Sequence, residues 1–297
     1  MIEDTGRRIR AARAGSMGGY FLLRIWMLAP AAASLAGLAL FMIAPSRSRR
    51  AEDWRGTPFA HRGLHGGGVE ENTIEAFERA CEAGVGIELD VQLSRDGKAV
   101  VFHDETLMRL AGDPRRVDQV DWAELQSLKI GQSGRIPAFD EVLARVNGRV
   151  PLLVELKNGR RNRRLCETAT ALLRGYRGAY LVESFNPLML RWLKKNAPDI
   201  VRGQLVGAAP LYLAVHAGRV GAFVLSKLTL NFLARPDFIA YDVSASRYAV
   251  PRVQRKLFHA PLAAWTVRDE ETYRKCAGRG EMPIFEGFIP DSEPAQG

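Results

Sequence analysis

Four ionisable side chains between residues 60 and 104 stand in stretches that are otherwise apolar. His61 follows an apolar pair, Glu88 and Asp90 alternate with Ile, Leu and Val, and His103 ends a run of Ala, Val and Phe. Burying such a group costs several kcal/mol unless a partner replaces its lost hydration. The pattern predicts that a metal ion and an anionic substrate are those partners.

The carboxylates are spaced so that they can converge. Side chains two residues apart on a strand share a face, so Glu88 and Asp90 point the same way, and Glu155 and Lys157 do so on a later strand. At the carboxyl ends of neighbouring parallel strands, where barrel enzymes place their catalytic groups, these acids would meet. Three oxygen ligands without Cys favour Mg²⁺ or Ca²⁺ over zinc.

Two cations and two imidazoles accompany the carboxylates. Lys157 and Arg62 beside a divalent ion would clamp a phosphoryl group, and an ordinary salt bridge from Lys157 to a neighbouring acid is compatible with that role. His61 and His103 lie at two strand ends, where they could supply a base for the nucleophile and an acid for the leaving group. The set predicts chemistry at phosphorus.

Such a site needs a scaffold in which many strand ends meet. Eight β-rich stretches alternate with helix-like segments, and residues 56–297 number 242, near the ~250 residues of a typical (β/α)₈ barrel. One of the helices is predicted over 72–83 with Asn72 as its cap. The predicted strands are 59–62, 86–92, 152–157, 180–185, 202–206, 237–243, 262–267 and 284–288.

One further strand, 99–103, follows its predecessor too closely for a parallel crossover, which needs a dozen or more residues. Asp96-Gly97 is a strong hairpin turn, so this strand is predicted to return antiparallel and carry His103 back to the rim. A loop-rich insertion over 108–136 comes next. We expect it to lie over the active-site face.

The N-terminal part is predicted to be a membrane anchor. Residues 25–45 contain no charged side chain and, with the apolar residues 21–23, approach the ~20 residues that span a bilayer. A cleaved signal peptide is the alternative, but Arg47, Arg49 and Arg50 stand where small residues would be needed for cleavage. Arginines on both sides leave the orientation undecided.

The predicted organisation implies a single-pass membrane protein with the bilayer as a partner, in the inner or plasma membrane if the source is bacterial. The predicted parts are a basic segment 1–20, a transmembrane anchor 21–45, a linker 46–55, the barrel 56–290 and a disordered tail 291–297.

The charge and the cysteines exclude other classes. The net charge is +9, but residues 1–55 hold nine Arg against four acids, so more than half of the excess lies before the barrel. This argues against a nucleic-acid-binding body. Cys81, Cys166 and Cys276 are few and far apart, which predicts buried free thiols rather than disulfides or a zinc site.

Several motifs in this order resemble those of the glycerophosphodiester phosphodiesterase family, which belongs to the phosphatidylinositol phospholipase C-like superfamily. They are Ala60-His-Arg-Gly63, Glu71-Asn-Thr73, Ile87-Glu-Leu-Asp-Val-Gln92, Asp96-Gly97, Val101-Phe-His-Asp104, Glu155-Leu-Lys157, Ser184-Phe-Asn186 and Trp265-Thr-Val267. The ending Phe285-Glu-Gly-Phe-Ile-Pro-Asp291 departs from the Ile-Thr-Asp-x-Pro-like ending of many relatives.

The resemblance implies a TIM barrel and metal-dependent hydrolysis of glycerophosphodiesters to glycerol 3-phosphate and an alcohol. In this superfamily a substrate hydroxyl can attack phosphorus to give a cyclic intermediate, and the sequence leaves that step open. The implied roles are acid and base for His61 and His103, Mg²⁺ or Ca²⁺ ligation for Glu88, Asp90 and Glu155, phosphate binding for Arg62 and Lys157, a further ligand in Glu71 and a substrate wall in Trp265.

Two other functions are weighed against this one. Residues 200–236 contain no Asp or Glu but include several cations, which is typical of a membrane-facing helix pair or of a long barrel helix with a loop. The first interpretation favours a lysophospholipase D acting on lysophospholipid. A non-catalytic membrane sensor or scaffold would require the loss of a ligand or a histidine, and every core position is occupied. The oligomeric state stays open.

Overall fold

The computed structural model describes residues 30–214, 218–245 and 249–291. The chain divides into two units, residues 1–43 and 44–297. In the first unit, the described residues form helix α1 over 30–43. The predicted basic segment, the first part of the predicted anchor and all but the first residue of the predicted tail lie outside the described residues.

The predicted membrane anchor is corrected by the helices of the structure. Within the described ranges, no helix is long and apolar enough to cross a membrane. The predicted single-pass localisation is therefore wrong, and the predicted bilayer partner has no support, because a charge-free stretch need not form one long apolar helix.

Eight parallel strands of the second unit close into a barrel, and the predicted TIM barrel is confirmed. The strands of the unit are β1 Phe59–Ala60, β2 Gly86–Leu93, β3 Ala99–Val101, β4 Lys129–Ile130, β5 Gly134–Arg135, β6 Leu152–Leu156, β7 Tyr180–Ser184, β8 Arg202–Val206, β9 Phe238–Asp242, β10 Leu262–Val267 and β11 Met282–Phe285. The barrel order is β1, β2, β6, β7, β8, β9, β10, β11, and β11 pairs back with β1.

Amphipathic helices surround the barrel. In the helix over Phe139–Val146, for example, Phe139, Val142, Leu143 and Val146 are buried, which is the i, i+3, i+4, i+7 pattern of one apolar face. The helices are α2 Ile74–Glu82, α3 Met108–Ala111, α4 Trp122–Leu125, α5 Phe139–Val146, α6 Asn162–Gly175, α7 Pro187–Asn196, α8 Ala209–Ala214, α9 Gly218–Ser226, α10 Asn231–Ala234, α11 Ala249–Leu257 and α12 Glu270–Ala277, with 3₁₀ turns at Glu52–Trp54, Val117–Gln119 and Val243–Ala245.

The barrel interior is layered, and this layering positions the site. An apolar cluster fills the lower part and includes Leu153 of β6 and Leu181 of β7. Because side chains two residues apart share a face, Glu155 and Glu183 also point inward, one layer closer to the carboxyl ends of the strands. The alternation of inward and outward side chains along each strand thus places apolar groups in the core and ionisable groups at the rim.

The predicted hairpin is confirmed. β3 pairs antiparallel with β2, with Val101 opposite Val91, and Gly97 in the turn has a φ of +94°. The insertion that follows has its own apolar core, which includes Val117, Leu125 and Ile130. The insertion is therefore a packed element rather than a loose loop.

Candidate active site

Three predicted ligands come together at the barrel rim. Among the described residues, Glu88, Asp90 and Glu155 form the acidic group whose ligand atoms all lie within 4.8 Å of one another. All three are buried. Asp90 of β2 and Glu155 of β6 are register partners, so strand pairing itself brings their carboxylates together.

The electrostatics of this group fit a divalent cation. Burial raises the pKa of Glu88 well above its usual range, and the charges of Asp90 and Glu155 add to the rise. Burial also raises the pKa of Glu155. Burial alone would raise the pKa of Asp90 too, but the attraction of Lys157 and other cations outweighs it and lowers the pKa. Hard oxygen donors that repel one another suit Mg²⁺ or Ca²⁺, which would relieve that repulsion.

Lys157 lies directly beside these carboxylates. Its Nζ is 3.1 Å from Asp90 Oδ1 and 3.0 Å from Glu155 Oε1. Burial would lower the pKa of Lys157, but Asp90 and Glu155 outweigh it and raise the pKa. The amine is therefore held as a cation beside these two carboxylates.

His61 follows β1 and is held by a carboxylate that the sequence analysis did not single out. Its Nδ1 is 2.6 Å from Glu286 Oε2, and its Nε2 is 4.0 Å from Glu88 Oε2. The hydrogen bond from His61 lowers the pKa of Glu286 to about 2, so Glu286 is ionised. We assign the Nδ1 proton to this bond, which leaves Nε2 free to accept a proton. Burial lowers the pKa of His61, although Glu286 opposes the shift.

His103 follows β3 and has a carboxylate partner of its own. Its Nδ1 is 2.7 Å from Asp104 Oδ1. Burial would raise the pKa of Asp104, but the hydrogen bonds from His103 and Arg109 outweigh it and lower the pKa. Gln92 Nε2 donates at 2.7 Å to the carbonyl oxygens of both Phe102 and Asp104, which holds this segment against β2.

Arg62 has a left-handed backbone, with a φ of +56°. Its backbone N–H donates to Glu88 Oε2 at 2.9 Å, and its Nη1 donates to Glu71 Oε1 at 2.8 Å. This conformation is strained for a side-chain-bearing residue and is typical of functional sites. The next residue, Gly63, has a φ of +80°, and a Cβ there would lie 2.9 Å from Ala76, so only glycine fits between the loop and α2.

Glu71 and Trp265 are the two remaining predicted site residues. Glu71 lies outside the three-carboxylate group and pairs with Arg62 and Arg109 instead. Trp265 is on β10 and packs edge-to-face on Phe185, with ring centroids 5.6 Å apart. Its indole Nε1 is buried and has no hydrogen-bond partner in the described part of the chain.

Asn72 contributes to the site rather than to the start of the helix, which corrects the predicted cap. Thr73 caps α2, accepting a hydrogen bond from Ala76 N, and the helix begins at Ile74. Asn72 has a φ of +56°, and its Nδ2 donates to Asp90 Oδ2 at 2.8 Å. Asn and Thr both cap helices, so the sequence alone could not choose between them.

Sequence reasoning also missed Glu286, Glu183 and Arg109. Glu286 follows the last strand at the point where the chain departs from the family ending. Glu183 is buried on β7 in register with Glu155, and burial raises its pKa well above the usual range. A glutamate at the same position of two adjacent strands was a usable signal for Glu183. Arg109 lies on a short helix of the insertion, and no sequence pattern indicates it.

An apolar cavity of about 430 Å³ opens at the carboxyl ends of β8 and β9. Helix α8 contributes Pro210 and Leu213 to the cavity wall, and Tyr212 of the same helix packs edge-to-face on Phe185, with ring centroids 6.2 Å apart, while Phe185 packs on Trp265. Its lining includes Val206, Pro210, Leu213, Ala222, Phe223 and Tyr241, together with the cations Arg219 and Lys227.

A parallel barrel with carboxylates, cations and imidazoles at the carboxyl ends of its strands has the architecture of a barrel enzyme that acts on phosphate esters. Residues 61–289 match the model of the Glycerophosphoryl diester phosphodiesterase family, and the chain belongs to this family. The predictions of the family and of a phosphodiesterase enzyme are confirmed.

Known proteins of related sequence and structure agree with this assignment. A glycerophosphodiester phosphodiesterase of Caldanaerobacter subterraneus subsp. tengcongensis is 37% identical over 191 residues, which cover 59% of this chain and 76% of the relative. A human lysophospholipase D is 32% identical over 171 residues, covering 52% of each chain. A phosphodiesterase of Oleispira antarctica, solved with the product sn-glycerol-3-phosphate, has a TM-score of 0.64 and 25% identity, covering 80% of this chain and 94% of that one.

Proposed function

We propose that this chain hydrolyses glycerophosphodiesters to glycerol 3-phosphate and an alcohol, with a divalent cation bound by Glu88, Asp90 and Glu155. The observation that supports this most is the convergence of these three buried carboxylates within 4.8 Å. When bound, Mg²⁺ or Ca²⁺ would draw negative charge from the phosphate oxygens.

Arg62 and Lys157 are the proposed phosphate ligands. Lys157 Nζ lies within 3.1 Å of two of the metal-binding carboxylates, so it borders the place where the phosphate would meet the cation. Arg62 Nε is buried and makes no hydrogen bond within the described part of the chain. An entering phosphate oxygen would satisfy that donor, and a charge-assisted bond of this kind is roughly twice as strong as a neutral one.

The two imidazoles transfer the protons. His61, whose pKa is lowered by burial, is neutral at pH 7 and accepts a proton at Nε2 from the attacking water. The new P–O bond forms as the P–O bond to the alcohol breaks, and His103 gives its proton to the departing oxygen. Asp104, whose Oδ1 is 2.7 Å from His103 Nδ1, orients the ring for this transfer.

The test is an assay of the purified chain on glycerophosphocholine and glycerophosphoethanolamine with Mg²⁺, Ca²⁺ or EDTA. We expect EDTA-sensitive release of glycerol 3-phosphate that is abolished in His61→Ala and in His103→Ala. His259→Asn is the matched control, because His259 is exposed and has a φ of +52° that Asn tolerates. Turnover that resists EDTA would contradict the metal assignment, and full activity in either alanine variant would contradict the role of that histidine.

A second candidate substrate is a lysophospholipid, and the cavity beside α8 and α9 favours it. Its volume of about 430 Å³ lies within the roughly 300–1,000 Å³ of small-molecule sites. An acyl chain would contact the apolar walls, and Tyr212 of α8 packs on Phe185, which in turn packs on Trp265, the predicted substrate wall. The related human protein carries the name of such an enzyme. Faster release of choline from lysophosphatidylcholine than from glycerophosphocholine would support this candidate, and the reverse order would reject it.

A further inference from the structure

Arg109 lies on the short helix α3 of the insertion and binds two carboxylates at once. Its Nη1 and Nη2 donate to Glu71 at 3.0 and 2.6 Å, and its Nε and Nη2 donate to Asp104 at 2.6 and 3.1 Å. The flat guanidinium fork of arginine is suited to such paired contacts, whereas the single ammonium of lysine is not.

Each of these carboxylates holds a residue of the proposed active site. Glu71 Oε1 accepts a hydrogen bond from Arg62 Nη1 at 2.8 Å. Asp104 Oδ1 is 2.7 Å from His103 Nδ1. Arg109 therefore joins the proposed phosphate ligand on one strand end to the proposed acid on another, although it contacts neither of them directly.

The insertion holds the backbone of Arg109 in place. Leu107 is fully buried in the core of the insertion, and its N–H donates to Arg115 O at 3.0 Å. On the other side, Gly131 N donates to Leu110 O at 2.8 Å. A residue flanked by two anchored neighbours can fix the groups to which its side chain is bound.

We propose that Arg109 is a positioning residue that fixes the side chains of His103 and Arg62 relative to each other. The insertion between β3 and α5 places Arg109 beside the active site. Without Arg109, Glu71 and Asp104 lose the shared cation between them, and their repulsion moves both groups. This inference rests on the proposed function, because it takes His103 as the acid and Arg62 as the phosphate ligand.

Arg109→Ala is the main test, and Arg115→Ala is its matched control. Arg115 lies in the same insertion, is 43% exposed against 46% for Arg109, and pairs with two carboxylates that belong to no part of the site. We expect kcat for glycerophosphocholine to fall about 100-fold in Arg109→Ala, since a displacement near 1 Å costs on that order. KM should rise a few-fold because Arg62 is loosened. Arg115→Ala should change neither constant more than about two-fold.

Two further variants separate positioning from a general effect of charge. Arg109→Lys keeps the charge but not the fork, so it should recover only a small part of kcat. In an Asp104→Asn background, Arg109→Ala should reduce kcat by less than about three-fold, because residues in one network are not additive. The proposal would be overturned if Arg109→Ala lowered kcat as much in the Asp104→Asn background as in the wild type, or if Arg109→Lys were fully active.

A readout without turnover distinguishes this proposal from the proposed function. The Nδ1–H proton signal of His103 in NMR spectra, assigned with His103→Ala, should weaken or shift in Arg109→Ala and stay unchanged in Arg115→Ala. If the wild type hydrolyses no phosphodiester, the proposed function fails, but this signal still decides whether Arg109 positions His103. An unchanged signal in Arg109→Ala would overturn the proposal.

Discussion

The two sides of the barrel mouth differ in their charged side chains. On the side of β1, β2, β3 and β6, carboxylates, cations and imidazoles are linked by short contacts, such as those of His61 with Glu286 and of His103 with Asp104. On the side of β8 and β9, residues 200–236 contain no acid, and the cavity walls are mostly apolar.

We propose that this difference separates the groups that react from the groups that recognise the substrate. Groups that must stabilise charge at phosphorus have to be oriented before the substrate arrives, and paired carboxylates orient both imidazoles. Apart from Arg219 and Lys227, the cavity side has apolar walls, which suit the part of a substrate that does not react. We therefore expect substitutions on the first side to affect every substrate and those on the second side to affect only some.

The largest effect should come from removing an imidazole on the charged side. His103→Ala should lower kcat by about 10²–10⁴-fold, the usual range for general acid–base catalysis, for glycerophosphocholine and lysophosphatidylcholine alike. Steady-state assays of both substrates check this. If the loss is confined to one substrate, the two sides are not divided as we describe.

A smaller effect is expected from Asn72, the partner of the proposed metal ligand Asp90. Asn72→Gly removes the donor to Asp90 Oδ2 while keeping a backbone suited to φ +56°. Loss of such an outer partner typically reduces metal affinity by about 10–100-fold, which calorimetric titration with Mg²⁺ and Ca²⁺ would measure. Asn147→Gly is the control, since Asn147 ends α5 with a φ of +44° far from the site. Equal affinities of the two variants would contradict the role of Asn72.

On the apolar side, the effect should depend on the substrate. Phe223→Ser removes a ring from the cavity wall, and we expect KM for lysophosphatidylcholine to rise about 3–10-fold through lost apolar contact. Glycerophosphocholine, which has no acyl chain, should be turned over as before. Leu188→Ser is the control, because Leu188 is an exposed leucine of α7 outside the cavity. Equal losses for both substrates would show that Phe223 acts on folding.

The smallest effect concerns stability and pH. The pKa of Glu286 is about 2 because of the hydrogen bond from His61, against about 4.3 for an unfolded Glu. Since the folded pKa is the lower, the stabilisation is present above about pH 4.3 and is lost as the pH falls towards 2. Between about pH 5 and pH 3, the wild type should lose more free energy of unfolding than Glu286→Gln does. Thermal unfolding should show a difference on the order of 1 kcal/mol. Glu270→Gln, in an exposed pair on α12, should follow the wild type.

Local patterns were sufficient for much of the barrel and for the three-carboxylate group. Alternation along β2 and β6 placed Glu88, Asp90 and Glu155 on inward faces, and the turn at Asp96-Gly97 predicted the return of His103. The predicted anchor failed for the opposite reason. Absence of charge along a stretch does not by itself give a helix that is long and apolar enough to cross a membrane, and the described part of the chain contains no such helix.

The sequence by itself determined which residue types reach the rim, because a strand period of two residues is a local property of the chain. Only the tertiary structure decided their partners. Glu286 is 225 residues from His61 and meets it because β11 closes against β1. Arg109 reaches Glu71 across 38 residues because the insertion folds back over the rim. Barrel closure and the packing of the insertion depend on residues far apart in the chain. A local sequence pattern therefore does not indicate which charged side chains they bring into contact.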